Sequence, residues 1–232
     1  MDKDIINKNK ILIFSHNYLV RNWKEVVIEQ LEKLKNSELY NNAHYIYYGV
    51  YSENDIFYHD FLDIINTYDE HKKINITIYA ENNYEMNTLS ILQQTVKNYD
   101  DCYVLYYHTK GVTSERNHDN VNLDKVKSWR HILEYFNIER WKDCVNSLKN
   151  HDICGVLYIG DNGHPWKNYY SGNFWWGNSD YINKLPLVTK LEDKRMACEL
   201  WIGKNNHRWV NLYPMTWGYI YDFYFDPKEY RK

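Results

Sequence analysis

The stretch KILIFSHNYLVRNW, residues 10–23, contains the change of pattern that decides the fold. Its first five residues form an apolar run typical of a buried strand. Polar residues follow, and Ser15 or Asn17 has a side chain suited to capping a helix. Apolar side chains then recur at helical spacing, at Leu19, Trp23, Val26, Val27, Leu31 and Leu34. The pattern predicts a strand, a loop and a helix, in that order.

The same alternation continues through the first half of the chain. Strand-like runs occupy residues 43–51, 74–80 and 102–107, and residues 84–98 carry apolar side chains at helical spacing. Strands that alternate with helices predict a parallel sheet with crossover helices, hence an α/β fold. Ligands of such sheets bind beyond the carboxyl ends of the strands, so we expect a site where the first and fourth strands end.

The second half is less regular, but it contains no linker, repeat or low-complexity tract, which predicts one domain over residues 1–232. The expected elements are a polar loop at 112–127, a helix at 128–149 broken near Asn137, a strand at 153–159, a short helix before Leu185 and a helix around 192–202.

Composition excludes several classes of protein. With 44% apolar residues the chain is not disordered, and a net charge of −3 gives no reason to expect a nucleic-acid partner. The four cysteines form no CxxC pair, which argues against a zinc site and favours buried free thiols in a reducing compartment. Aromatic residues make up 17%, which suits stacking on sugars and nucleobases. The alternative is coding bias, because the chain is also rich in Asn, Ile, Lys and Tyr, which an AT-rich genome encodes.

Chemistry is concentrated first in His108-Thr109-Lys110-Gly111, directly after the fourth strand. A lysine at this edge can neutralise a diphosphate as the leaving group departs. His108 can donate to a phosphate oxygen or ligate a metal ion. The alternative is an ordinary polar strand end followed by a loop.

Two further segments offer groups for phosphates and sugars. In Ser128-Trp129-Arg130, Arg130 is a candidate for a phosphate, whereas Trp129 fits the buried face of a helix. In the segment YSGNFWWG, small residues precede aromatic ones, which suits a backbone close to a sugar. The candidates there are Ser171, Gly172, Asn173, Trp175 and Trp176, with one tryptophan expected in the core because neighbours in a strand face opposite ways.

Glu199 is the candidate base for an acceptor hydroxyl. It shares a helical face with Arg195, four residues earlier, so the alternative is a surface ion pair of little energetic value. His164 lies in the loop GDNGHPW, which suits a lid or a wall on the acceptor side.

Several of these motifs occur together in one order: FSHNY, YEMNTLSIL, YYHTKG, the WR helix, SGNFWW and RMACELW, over roughly residues 10–205. The set resembles small GT-A-type glycosyltransferases of large DNA viruses and of bacterial surface-glycan clusters. The resemblance implies a Rossmann-type, mixed but mainly parallel sheet flanked by helices, with a nucleotide-sugar half at 10–111 and an acceptor half at 112–232. It also implies that the nucleoside is held by Ser15, His16, Asn17, Glu85 and Thr88.

The resembling family normally carries an Asp-x-Asp motif at the end of the fourth strand, which holds a divalent metal against the diphosphate. This chain has His108-Thr109-Lys110 there instead. We therefore expect Lys110, helped by His108 and Arg130, to replace the metal electrostatically. We expect that no cofactor is required. The alternative is that Mn²⁺ or Mg²⁺ bridges the diphosphate, with His108 as one of its ligands.

The resulting hypothesis is a hexosyltransferase that moves a sugar from a nucleoside diphosphate, with a UDP-sugar favoured, to a glycan or protein acceptor. Inversion is the expected stereochemistry, since Glu199 then acts as base. A non-catalytic carbohydrate-binding module and a sugar nucleotidyltransferase are the alternatives. No apolar run approaches the ~20 residues that span a bilayer. Together with the polar N-terminus, this leads us to expect a cytoplasmic protein, in the host cytoplasm if viral.

Overall fold

The first strand, β1 (Lys10–Tyr18), lies inside a sheet of seven strands in a computed structural model that describes residues 10–113, 122–161, 166–190, 194–214 and 220–231. The others are β2 (Tyr45–Tyr51), β3 (Ile74–Ile78), β4 (Cys102–His108), β5 (Ile153–Gly155), β8 (Trp175–Asn178) and β9 (Trp209–Asn211). A separate hairpin pairs β6 (Tyr158–Ile159) with β7 (Tyr169–Tyr170).

The strand order is β3-β2-β1-β4-β8-β5-β9. β8 runs antiparallel to both of its neighbours, and every other pairing in this sheet is parallel. This confirms the predicted fold class, a mixed, mainly parallel Rossmann-type sheet flanked by helices.

Helices cover both faces of the sheet. Their bounds are α1 (Trp23–Asn36), α2 (Leu39–Asn42), α3 (Asp55–Tyr68), α4 (Met86–Val96), α5 (Leu123–Glu134), α6 (Trp141–Leu148), α7 (Ser179–Ile182), α8 (Lys194–Leu200) and α9 (Pro227–Tyr230). Alternate residues of β1 divide between two cores, because side chains of a strand point to opposite faces. Ile11 and Ile13 pack with α1, α3, α5 and α6, whereas Leu12 and Phe14 pack with α4, α7 and α8.

Two sequence-based boundaries are wrong. β1 continues to Tyr18 because its backbone pairs with β2 and then turns towards α1, so Ser15 and Asn17 are strand residues and cannot cap a helix. The N-cap of α1 is Asn22. The predicted loop at 112–127 also ends early, because Asn122 accepts bonds from the backbone N–H groups of residues 124 and 125 and starts α5.

The break predicted near Asn137 is confirmed. A π-helical turn, Tyr135–Glu139, separates α5 from α6, and the Asn137 side chain donates to the Leu133 carbonyl (2.8 Å). The strand predicted at 153–159 is interrupted between β5 and β6, where Leu157 has a positive φ of 57°.

All four cysteines are buried free thiols, as predicted. Burial raises the pKa of Cys102 to about 11, so that thiol stays protonated at neutral pH. Within the described ranges, no helix is both long and apolar enough to cross a lipid bilayer.

Candidate functional site

The carboxyl ends of β1 and β4 lie side by side, as the fold requires. His16 is in register with His108, and the Thr109 N–H donates to the His16 carbonyl (3.1 Å). The Thr109 hydroxyl accepts from the Tyr18 N–H (3.0 Å), and Thr109 is buried. Thr109 therefore joins the two strand ends, and its hydroxyl is directed at the backbone of β1.

Lys110 extends from this junction over the ring of Trp129, with its Nζ 3.9 Å from the ring centroid. Desolvation lowers the pKa of Lys110, whereas the charges of Glu199 and Glu85 raise it and that of Arg195 lowers it. Trp129 is buried, as expected for the inner face of a helix. The ammonium of Lys110 thus lies within the electrostatic range of two carboxylates that come from distant parts of the chain.

Glu85 precedes α4 and is held in place by two neighbours. Its Oε2 accepts from the Tyr106 hydroxyl (2.6 Å) and from the Asn173 Nδ2 (2.6 Å). The Asn173 Oδ1 accepts in turn from the Trp175 Nε1 (2.9 Å). Asn173 was expected to grip a sugar, but it is only 1% exposed and its side chain already has protein partners. Its amide instead orients Glu85.

The turn before β8 requires Gly172. Its φ is 94°, and a Cβ at that position would lie 2.6 Å from the Leu133 Cδ1. This glycine therefore serves a close approach to α5 rather than to a sugar. Ser171 is also buried in this turn, where its N–H donates to the Leu157 carbonyl (3.1 Å).

Neither tryptophan of the WW pair offers a platform for a sugar, because both are 0% exposed. Trp175 stacks on Tyr106, with ring centroids 5.2 Å apart and an interplanar angle of 26°. Trp176 faces the other core and donates its Nε1–H to the Asn137 carbonyl (2.9 Å). The two side chains point to opposite faces of the sheet, as expected, but a hydrophobic core covers each face.

His16 is brought against α4 and belongs to a chain of hydrogen bonds. Its Nδ1 is bonded to the Thr88 Oγ1 (2.9 Å), which lies 3.2 Å from the Tyr79 hydroxyl. Burial lowers the pKa of His16 to about 4, against an opposing effect of Glu85. The imidazole is therefore neutral near pH 7, and Thr88 fixes its orientation rather than binding a ligand directly.

Ser15 and Asn17 point to the opposite face from His16 and are buried there. The Ser15 hydroxyl donates to the Asn17 Oδ1 (3.4 Å), and the Asn17 Nδ2 donates to the Gly49 carbonyl (3.4 Å). Their expected contact with a nucleoside is contradicted by this burial, since successive residues of a strand alternate between faces.

His108 has a defined tautomer. Its Nε2 lies 3.0 Å from the Gly172 carbonyl oxygen, which can only accept, so Nε2 carries the proton and Nδ1 is left with a lone pair. Burial, and then the charge of Lys110, lower the pKa of His108 to about 4. A neutral His108 can therefore accept a hydrogen bond or ligate a cation through Nδ1.

Arg130, the expected phosphate ligand, is turned away from the ends of β1 and β4. It is only 2% exposed and points towards α1, where its Nη2 donates to the Glu29 Oε2 (2.8 Å). Turning this buried guanidinium to the far side of α5 would break its ion pairs with Glu29 and Glu134.

Glu199 and Arg195 both lie on α8, where Glu199 is partly buried and Arg195 is exposed. The charge of Glu199 also acts on two residues that the sequence analysis missed, Tyr169 and Tyr221. Burial raises the pKa of both phenols, and Glu199 raises each further. Tyr169 could have been suspected because it adjoins YSGNFWWG. Nothing local distinguishes Tyr221 among the 24 tyrosines.

The tertiary structure thus brings together the charges of Lys110, Glu85, Glu199 and Arg195, beside His108 and His16. It turns Ser15, Asn17, Arg130 and Trp176 towards the other core, and Trp175 is buried behind Asn173 and Tyr106. His164 lies outside the described residues. The arrangement can place one ammonium against an anion and one carboxylate near a hydroxyl.

The buried His16 predicts a pH-dependent stability. The unfolded chain takes up a proton near the ordinary histidine pKa of 6.5, whereas the folded chain does so only near 4. Stability is therefore complete above pH 6.5 and is lost as the pH falls towards 4. Between pH 7 and pH 5 we expect His16 to contribute a loss of about 2 kcal/mol, measured by urea unfolding.

The variant His16→Asn should show a flatter dependence of unfolding free energy on pH. The matched control is His59→Asn, because His59 is exposed on α3. Equal slopes for the wild type and His16→Asn would contradict the assignment of a neutral, buried His16.

Comparisons with known proteins identify one matching family model and two solved structures of low similarity. A family model described as "Domain of unknown function (DUF8361)" matches residues 12–218. No curated protein matches the chain. A crystal structure of 4-diphosphocytidyl-2C-methyl-D-erythritol synthase is similar at 10% identity and a TM-score of 0.42, over 97% of this chain and 96% of that chain. A crystal structure of S. aureus TarS 1-349 is similar at 9% identity and a TM-score of 0.36, over 87% of this chain and 60% of that chain.

Proposed function

The chain belongs to the DUF8361 family, and we propose that it is a hexosyltransferase that uses a nucleoside-diphosphate sugar. The observation that carries this proposal is the environment of Lys110. Its side chain is partly buried over the Trp129 ring, and the charges of Glu85 and Glu199 act on its ammonium at the carboxyl edge of a mainly parallel sheet. Sheets of this kind bind ligands at that edge. A lysine there suits an anionic leaving group better than a neutral ligand.

In the proposed reaction, Lys110 neutralises the negative charge that develops on the departing diphosphate. Preorganised charge in a site that excludes water stabilises such a transition state strongly. Glu199 accepts the proton of the acceptor hydroxyl as that oxygen attacks the anomeric carbon and the bond to the diphosphate breaks. Attack from the face opposite the leaving group inverts the configuration.

A divalent metal fits this set of residues poorly. The carboxylates of Glu85 and Glu199 act on the ammonium of Lys110, whose positive charge opposes a second cation at the same place. His108 offers one neutral nitrogen, whereas Mg²⁺ and Mn²⁺ prefer several oxygen ligands. We therefore propose that sugar transfer requires neither Mn²⁺ nor Mg²⁺.

We propose a UDP-sugar as the donor, bound by residues of 10–111, and a glycan or protein hydroxyl as the acceptor, bound by residues of 112–232. With Asn173, His16 and both tryptophans buried, we propose that His108, Tyr169 and Tyr221 contact the ligands. The four buried thiols support a reducing, cytoplasmic location.

A thermal-shift screen of nucleoside diphosphates and their sugars, with and without Mn²⁺, tests the proposal. A ligand that binds only the folded state raises the melting temperature. We expect UDP and UDP-sugars to raise it by several degrees, equally in the presence of EDTA. Release of UDP from the sugar then shows turnover. No shift with any nucleotide would overturn the proposal. Release of pyrophosphate from a nucleoside triphosphate and a sugar phosphate would indicate a nucleotidyltransferase instead.

A further inference from the structure

The direction of Lys110 is set by a sharp turn directly after β4. The Lys110 N–H donates to the carbonyl oxygen of His108, only two residues earlier (2.8 Å). A hydrogen bond between such residues defines a γ-turn, which is common where strands end. The His108 carbonyl is therefore the pivot that decides where the Lys110 side chain begins.

This carbonyl has a second partner from α1. Gln30 is 2% exposed, and its Nε2 donates one hydrogen bond to the His108 oxygen (3.1 Å) and one to the Glu134 Oε1 (3.0 Å). A side-chain amide nitrogen carries two protons, so both are used. Gln30 cannot rotate without losing both bonds, which ties the strand end to α5.

Glu134 is 0% exposed, and two cationic side chains hold its carboxylate in place. Lys33 approaches its Oε2 at 2.5 Å, and the Arg130 Nε lies 3.4 Å from its Oε1. The same two cations pair with Glu29, at 2.8 Å each. Two positive and two negative side chains thus form a neutral, mostly buried cluster between α1 and α5.

This cluster does not fit a metal site. One ligand atom each from Glu29, His131 and Glu134 lie within 4.8 Å of one another. Lys33 and Arg130 already neutralise both carboxylates, however, so a divalent ion would have to displace them. A buried ion cluster also adds little stability over apolar residues of the same volume. The geometry of the cluster is better explained by a role in holding the Glu134 carboxylate against Gln30.

We propose that Gln30 and Glu134 are positioning residues for Lys110: they hold the His108 carbonyl so that the γ-turn aims the ammonium at the diphosphate. The cluster lies on the side of β4 that faces α1. The inference rests on the proposed function of Lys110. It goes beyond that function by assigning the aim of the Lys110 side chain to two residues on the other side of the strand, Gln30 and Glu134.

The experiment compares UDP affinity, measured by calorimetry, in Gln30→Met and Glu29→Gln. Methionine keeps the volume of glutamine but cannot donate to the His108 carbonyl. We expect Gln30→Met to weaken UDP binding about tenfold, which is about 1.4 kcal/mol. Glu29→Gln disturbs the same cluster without touching Gln30, so we expect a comparable drop in melting temperature with UDP affinity within about twofold of wild type.

A double-mutant cycle separates positioning from general damage. If Gln30 acts through Lys110, adding Gln30→Met to Lys110→Met should not weaken UDP binding further. Full additivity of the two effects, or wild-type affinity in Gln30→Met, would overturn the inference. Failure of the wild type itself to bind UDP would instead count against the proposed function.

A second readout needs no nucleotide. In ¹³C-dimethylated protein, the signal that Lys110→Met removes identifies Lys110 and reports its pKa by NMR titration. Release of the turn should move Lys110 out of its desolvated position and return its pKa towards the ordinary value in Gln30→Met but not in Glu29→Gln. An unchanged Lys110 pKa in Gln30→Met would contradict the inference even if no nucleotide binds.

Discussion

Lys110→Ala is expected to lower the rate of donor turnover by about 100-fold or more, the usual effect of removing one preorganised group that stabilises developing charge. The Lys110 side chain is partly buried against Trp129, so water screens its attraction for a diphosphate less than it screens that of an exposed lysine. We also expect UDP to bind about tenfold more weakly. Steady-state release of UDP from UDP-sugars, together with calorimetry of UDP, measures both effects.

The control for this variant is Lys142→Ala. Lys142 also lies over a tryptophan, with its Nζ 5.5 Å from the ring centroid of Trp141, but it is exposed on α6. It should lose neither turnover nor affinity, since a solvated surface charge far from the sheet edge is screened. If Lys110→Ala kept its rate and its UDP affinity, Lys110 would have no part in the mechanism.

Glu199→Gln is expected to lower transfer to the acceptor by about 100- to 1,000-fold, within the range for a lost general base. Glutamine has nearly the same shape but does not accept the proton at neutral pH. UDP should bind at least as tightly as to wild type, because a negative charge near the diphosphate has been removed. A full loss of transfer with retained UDP affinity therefore distinguishes a base from a structural residue.

Glu229→Gln provides the matched control, because Glu229 is an exposed glutamate on the short helix α9. Its rate should equal that of wild type. Retention of rapid transfer in Glu199→Gln would assign the proton to another group, and the neutral Nδ1 of His108 would be the next to test.

Local pattern was sufficient for much of the framework. β4 is found at Cys102–His108, where an apolar run predicts a strand at 102–107. α4 is found at Met86–Val96, inside the predicted 84–98. Both depend on interactions between residues close in sequence, and the burial of one face imposes a period that can be read directly. The same pattern predicts a site where the first and fourth strands end, and the tertiary structure shows that these strands are neighbours.

The site residues were harder to predict because their roles depend on distant partners. Asn173 has the chemistry to bind a sugar, but Glu85, from the other half of the chain, takes its amide. Arg130 has the chemistry to bind a phosphate, but Glu29 takes its guanidinium. The sequence shows what each side chain can bind. It does not show which other residue of the folded chain is already bonded to that side chain.

The sequence by itself determined the class of fold, the end of the sheet at which a site is expected and the presence of Lys110 at that end. These follow from hydrophobic periodicity and from the rule that parallel strands align their carboxyl ends. Only the tertiary structure decided that Glu85 and Glu199 act on Lys110, that both tryptophans are core and that Gln30 clamps the His108 carbonyl. Burial and pairing between residues far apart in sequence decide which polar groups stay available, and no local pattern encodes them.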